Sequence, residues 1–227
     1  MINPEKDPYT DNNDVLKNKL NLKTTEELDQ ASADIGFMKL INIDIIPMEH
    51  FDPDILRRIH WHIFHDIFEW AGEYRNVPLV KEEYIFPGYT IPYTDFREIE
   101  NEVIRQMWEM ERIAWEEKTM EEIASILARR IALLWKVHPF RDGNTRTMLC
   151  YAYLFGKEHG FPMDMLTFTD NLARIYYEDG TIARHSIRDK FVIASLDEKD
   201  KPETEHLAHL FEEAMNNYQK EENRFHR

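Results

Sequence analysis

Apolar residues recur at helical spacing in several stretches of the chain. Ile55, Ile59, Ile63, Ile67 and Trp70 repeat every three or four positions and lay one apolar stripe along a predicted helix. Asp52-Pro53 supplies its start: Asp caps, and Pro takes a position whose amide would be unbonded anyway. Gly72 supplies its stop. Phe96, Ile99, Val103, Met107, Met110 and Ala114 mark a second amphipathic helix. Thr119-Met-Glu-Glu122 is a capping box that opens a third, with Ile123, Leu127, Ile131 and Leu134 on its inner face. Thr145 to about His159 reads as a fourth, with Gly160 placed to end it in a left-handed conformation. Another capping box at Thr24–Glu27 predicts a helix toward Leu40, in which Gly36 is an unfavourable member. Leu207, Leu210, Phe211 and Ala214 predict a terminal helix beyond Pro202.

The pattern changes between Tyr74 and Tyr93. Asn76–Val80 and Tyr84–Phe86 are short and β-prone, joined by Lys81-Glu82-Glu83, with a turn signal at Pro87-Gly88. They predict a small hairpin between two long helices, too short to be stable unless it lies on the helical body. With only seven glycines in 227 residues, the expected fold is all-α with a small inserted β-hairpin. The expected layout is a flexible arm over 1–13, one domain over 14–198 and a C-terminal helical extension over 199–227.

Charge narrows the partners. Lys and Arg total 28 against 43 Asp and Glu, a formal net charge of −15. Such a surface repels phosphate backbones, so direct nucleic-acid binding through a broad basic face is not expected. Cys150 is the one cysteine, which excludes an intramolecular disulfide and a cysteine-rich zinc site and fits a reducing compartment. The first residues lack a basic region followed by an apolar stretch, and no apolar run approaches the roughly 20 residues that span a bilayer. A cytoplasmic protein without a membrane partner is the expectation.

His138-Pro-Phe-Arg-Asp-Gly-Asn-Thr-Arg146 carries the densest chemistry. It falls between two predicted helices, on a loop leading into a helix N-terminus. It holds a titratable base (His138), a carboxylate suited to Mg²⁺ (Asp142), a glycine that lets backbone approach a ligand (Gly143), an amide side chain (Asn144) and a fixed cation (Arg146). Oriented amides and the dipole of the following helix attract anions. Together these suit a phosphate-ester transfer site. An Asp-Gly-Asn turn with Phe140 as a core anchor would look the same.

The stretch closely resembles the signature of Fic-domain proteins, His-x-Phe-x-(Asp/Glu)-Gly-Asn-Gly-Arg-x-x-Arg. Phe51 to Arg75, Val15–Leu20, Glu26–Leu28 and Ile187–Ser195 resemble the flanking Fic segments, so the resemblance covers roughly 14–198. It implies a helical Fic fold, a flap at about 74–93, and AMP transfer from ATP to a Tyr, Ser or Thr hydroxyl of a target protein. By the same resemblance, His138 takes the proton of the attacking hydroxyl and Asp142 holds Mg²⁺. Asn144 and Arg146 bind phosphate oxygens, with the Gly143–Thr145 backbone as an anion nest. Phe140 packs beneath the loop. Val80, Lys81, Ile85 and Phe86 of the flap bind an extended target segment by strand addition.

Two motif positions depart from the pattern. Thr145 replaces the second glycine, strained if a positive φ is needed there and comfortable in a first helical turn. Leu149 replaces the last arginine, removing a charge-assisted bond of about 1.5–3 kcal/mol to the nucleotide's terminal phosphate. Phosphoryl transfer, as in Doc proteins, and a non-catalytic scaffold therefore stay open beside AMP transfer. Self-restraining relatives carry (Ser/Thr)-x-x-x-Glu-(Gly/Asn). Glu100-Asn101 follows Phe96 and Glu222-Asn223 follows Tyr218, so neither fits, and the resemblance then implies a separate small antitoxin. His60, His62, His65 and Asp66 form a dense cluster, read as helix histidines with local hydrogen bonds or, less simply, as metal ligands. The five tryptophans read as core or interface anchors and Cys150 as buried packing.

Overall fold

A computed structural model describes residues 7–81, 83, 85–170, 175–176, 180–197, 199 and 201–225. The chain is mostly helical: α1 (Thr25–Leu40), α2 (Ile55–Phe64), α3 (Ile99–Glu111), α4 (Met120–Val137), α5 (Asn144–Glu158), α6 (Met165–Asp170), α7 (Ile187–Ala194) and α8 (Glu205–Phe225). A two-stranded antiparallel hairpin, β1 (Ile175–Tyr176) and β2 (Ile182–Arg184), lies between α6 and α7.

Capping residues set several boundaries. Thr119 and Glu122 exchange both capping-box bonds at the start of α4, and Ser186 and Asp189 do the same for α7. Thr24 accepts from the Glu27 amide at α1, and Gly160 follows α5 with φ 83°. Asp52 accepts from the Asp54 amide at 3.0 Å and α2 begins at Ile55. It ends at Phe64 rather than at Gly72, and turns carry the stripe onward so that Ile67 and Trp70 still reach the core.

Helix α4 is the central element, packing against α3, α5, α7 and α8, while α2 bridges α1 and α5. Leu127, Leu134 and Trp135 of α4 are fully buried. Leu207, Leu210, Phe211 and Ala214 of α8 are buried too, so the expected extension over 199–227 contributes to the common core from Glu205 on. Fully burying such side chains contributes about 1.5–3 kcal/mol each, which holds α8 in place.

One expectation needs correction. The hairpin expected at 76–86 is not there among the described residues: these are loop and turn, with Glu82 and Tyr84 outside the described residues. Ile85 and Phe86 lean on the helical core instead of a strand partner, and the hairpin forms at 175–184. The described part of the expected arm, 7–13, makes contacts with the body. Asp7 pairs with Arg141 (2.6 Å), Tyr9 meets Trp70 edge-on (5.3 Å), and Thr10 bridges to Leu16. Residues 1–6 lie outside the described residues.

Candidate active site

The loop between α4 and α5 starts at His138, whose backbone is left-handed (φ 51°, ψ 59°). Arg75 helps to hold this conformation. Its Nε donates to the His138 carbonyl (2.8 Å), its amide to the Pro139 carbonyl (2.8 Å), and its other nitrogens to the carbonyls of Val77 and Thr94. A buried guanidinium therefore ties both ends of the 76–94 segment to the base of the loop.

The His138 ring stacks on Tyr93 (4.0 Å) and meets Trp135 edge-on (5.1 Å). It is 1% exposed, and neither ring nitrogen has a hydrogen-bond partner among the described residues. Burial, followed by the nearby charges of Lys81, Arg188 and Arg75, holds its pKa well below the usual histidine range. The result is a neutral imidazole with a free acceptor nitrogen. Buried polar atoms of this kind need a partner, and an incoming hydroxyl would provide one.

Phe140 is fully buried and stacks on His60 (3.9 Å, 15°). The Gly72 amide donates to His60 Nδ1 (2.8 Å), which fixes the tautomer, so His60 Nε2 donates to the Asp142 carbonyl (3.1 Å). Burial pushes the His60 pKa down to about 3. His60 is thus a neutral brace for the loop, a role that sequence spacing did not expose. His62 and His65 bond to the carbonyls of Lys39 and Trp61, and Asp66 pairs with Lys39 (2.8 Å). The histidines of this cluster therefore serve local hydrogen bonds and do not converge on a common point.

Gly143 caps α5 with φ 78°. A Cβ there would fall 2.3 Å from Phe64 Cε2, so both conformation and space demand glycine. Both ends of the Asn144 amide side chain are committed to Phe140, accepting from its N–H (2.9 Å) and donating to its carbonyl (2.8 Å). Asn144 therefore closes the loop with its side chain and can offer an anion only its backbone amide. Thr145 sits in the first turn of α5, and its hydroxyl accepts from Trp135 Nε1 (3.1 Å), so the threonine is accommodated without strain. Amides in the first helical turn have no intrahelical acceptor and make an anion site.

The Asp142 carboxylate stands 3.9 Å from both Lys81 Nζ and Arg146 Nη2. Burial alone would raise its pKa, but Lys81, Arg146 and the Gly143 amide outweigh that and keep it ionised. Arg146 also donates to the Ser32 carbonyl (2.6 Å) and Oγ (2.8 Å) on α1 and lies 4.5 Å over the Phe64 ring. Gly36 makes this possible: a Cβ there would sit 2.9 Å from Arg146 Nη1. Across the cleft, Arg188 holds Glu83 with two contacts (2.7 and 2.9 Å), and Tyr93 donates to the same carboxylate (3.0 Å).

These groups share one cleft of about 510 Å³, which includes His138, Asp142–Arg146, Lys81, Arg188 and Asp29 of α1. That size is ordinary for a small-molecule site. Of the four residues expected in a target-binding flap, Lys81 turns into this cleft, Val80 is 76% exposed, and Ile85 and Phe86 are half-buried on the core. Leu149 is fully buried and brings no charge to the cleft.

Comparison with known proteins agrees with this geometry. Residues 50–156 match the model of the Fic/DOC family. The chain is 28% identical over 160 residues to the protein adenylyltransferase VbhT of Bartonella schoenbuchensis, covering 70% of this chain but only 32% of that protein. It is 30% identical over 145 residues to the probable protein adenylyltransferase Fic of Escherichia coli K12, covering 61% and 66% of the two chains. Among solved structures it resembles the N-terminal Fic domain, with bound ADP, of a putative cell filamentation protein from Bartonella quintana. The TM-score is 0.68 at 25% identity, over 91% of this chain and 93% of that one. The fold is also that of the type IV secretion system effector BepA, with TM-score 0.66 at 23% identity over 91% and 67% of the chains. Motif loop, matched segment and helical architecture coincide, and the chain is a Fic-family protein.

Proposed function

We propose that this chain transfers AMP from ATP to a hydroxyl side chain (Tyr, Ser or Thr) of a target protein. One observation carries the reading: His138, a buried neutral imidazole with both nitrogens unbonded, opens on the same cleft as Asp142, Arg146 and the free amides of α5. Proteins named adenylyltransferase are 28–30% identical to it over the matched segments, and a relative of the same fold holds ADP.

The target hydroxyl gives its proton to a ring nitrogen of His138 as its oxygen bonds to the α-phosphorus. The bond from that phosphorus to the bridging oxygen of the β-phosphate breaks, and pyrophosphate leaves. Arg146 and the amides of Asn144 and Thr145 bind phosphate oxygens, with Lys81 as a further cation; these contacts hold the phosphates for attack and stabilise the transition-state charge. Phe140 and His60 keep the loop in place.

Asp142 suits Mg²⁺. Its carboxylate is one-third exposed in the cleft and touches Lys81 and Arg146 only at 3.9 Å, which leaves oxygen lone pairs for a hard cation shared with phosphates and water. When bound, Mg²⁺ would neutralise phosphate charge. The exposed Val80, with Ile85 and Phe86, would receive an extended target segment by strand addition.

The reading extends to a separate small antitoxin as restraint, since neither Glu-Asn pair in the chain has Ser or Thr four residues ahead. It extends also to a cytoplasmic setting, where the buried Cys150 stays reduced. Among the described residues, no helix is long and apolar enough to cross a membrane. The test is incubation of the protein and a cell lysate with ATP labelled at the α- or γ-phosphate. Protein-bound α-label alone supports AMP transfer. Because the buried Leu149 supplies no cation for the terminal phosphate, γ-label alone would replace this reading with phosphoryl transfer, and neither label would make the chain a binding scaffold.

A further inference from the structure

Away from the cleft, three ligand-bearing residues converge: Glu111, the last residue of α3; His159, the cap of α5; and His50, in the segment before α2. One ligand atom from each lies within 4.8 Å of the others. Their hydrogen bonds set an uncommon condition. His159 Nδ1 lies 2.9 Å from the Phe155 carbonyl, which can only accept, so Nδ1 carries a proton. His159 Nε2 then faces Glu111 Oε2 at 3.3 Å. Both atoms can turn a lone pair toward a metal cation placed between them.

We propose that this cluster is a binding site for a divalent transition metal, with Zn²⁺ as the fitting example. The donor set, two imidazoles and a carboxylate, suits such an ion and does not suit Mg²⁺, which takes oxygen ligands. Much of the supporting structure is already in place. A backbone carbonyl orients His159, whose ring also stacks on Phe155 (3.8 Å), and the Phe51 amide holds the other Glu111 oxygen (3.4 Å). His50 is the exposed member of the three. Tetrahedral zinc with bonds of about 2.0–2.2 Å places its ligand atoms roughly 3.3–3.6 Å apart, so a spread within 4.8 Å needs to contract by about 1 Å to close the set. Glu158, whose Oε1 lies 3.6 Å from His50 Nε2, stands ready as a fourth ligand or as the acceptor for the ring. Cys150 does not compete, being fully buried. Bound metal would staple the segment before α2 to the far ends of α3 and α5.

The test uses the untagged full chain, stripped of metal and titrated with Zn²⁺, with metal content measured after dialysis and the unfolding midpoint measured with and without Zn²⁺. The expected result is one zinc per chain, a raised midpoint and no competition from Mg²⁺. His50→Ala, at an exposed position, should fold normally and weaken zinc at least tenfold, as should Glu111→Gln. Zinc retained equally by the parent, by His50→Ala and by Glu111→Gln would overturn the proposal, because the ion would then sit on other residues. So would the absence of stoichiometric zinc, which would leave His159 and Glu111 as a structural contact between α3 and α5.

Discussion

The Lys81 ammonium stands 3.9 Å from the Asp142 carboxylate, inside the cleft rather than on the outer face of the flap. Burial pushes its pKa down, and the Asp142 carboxylate opposes that shift. An inward lysine acts on nucleotide, an outward one on the target segment. Lys81→Met should therefore weaken ATP binding about tenfold or more, the low end of a charge-assisted bond, and Lys81→Arg should recover part of it. Titration calorimetry with ATP and Mg²⁺ checks this. Unchanged ATP affinity with impaired target modification would return Lys81 to the flap.

The depressed pKa of His138 predicts the shape of the pH profile. Its neutral form, the competent base, persists below pH 6.5, where an unperturbed histidine would be half protonated. Transfer rates should thus stay flat from pH 8 to about 6 and fall only at lower pH. A rate that halves near 6.5, measured with constant ATP saturation, would contradict the described burial.

Stability should respond in the same pH range. His60 has a folded pKa of about 3, below its ordinary 6.5, and His138 and His62 are also lowered. Below pH 6.5 the unfolded chain binds protons that the folded chain does not, so stability falls as pH falls. His60 alone would contribute a slope approaching about 1.4 kcal/mol per pH unit until its folded pKa is neared. His60→Phe keeps the stack on Phe140 but leaves the Gly72 amide and the Asp142 carbonyl without their partner. It should cost about 2–4 kcal/mol near neutral pH and flatten that slope. Urea unfolding between pH 5 and 8 measures both effects.

Gly143 and Phe64 should behave as a coupled pair. Gly143→Ala adds a left-handed alanine and a methyl 2.3 Å from the Phe64 ring, so a loss of about 2 kcal/mol or more is expected. Phe64→Leu makes room while costing some packing. The double variant should therefore be more stable than the sum of the two single losses implies, and an additive double-mutant cycle would contradict the contact.

Local rules made much of the architecture readable. The Thr119 capping box, the Ile55–Trp70 stripe, Gly160 and the α8 apolar face follow from hydrogen-bond and burial demands visible within a few residues. The motif loop was equally legible, because its chemistry is contiguous. Roles that depend on distant partners were not. Gly36 looks like a helix flaw until Arg146 fills the space above it, and His60 looks like one of several helix histidines until it meets Phe140, 80 positions on. In the β-prone run at 76–86, Ile85 and Phe86 lean on the core while Val80 stays exposed, so propensity misplaced the hairpin.

The central claim is that His138 moves a proton during transfer from ATP. Its most direct test is intact and peptide mass spectrometry of the chain after incubation with ATP and Mg²⁺, beside His138→Ala. Self-modification needs no knowledge of the target. The account predicts an added AMP mass on a hydroxyl residue of the parent, reduced at least about 100-fold in the variant, as loss of a general base requires. An AMP adduct of equal yield in His138→Ala would contradict it.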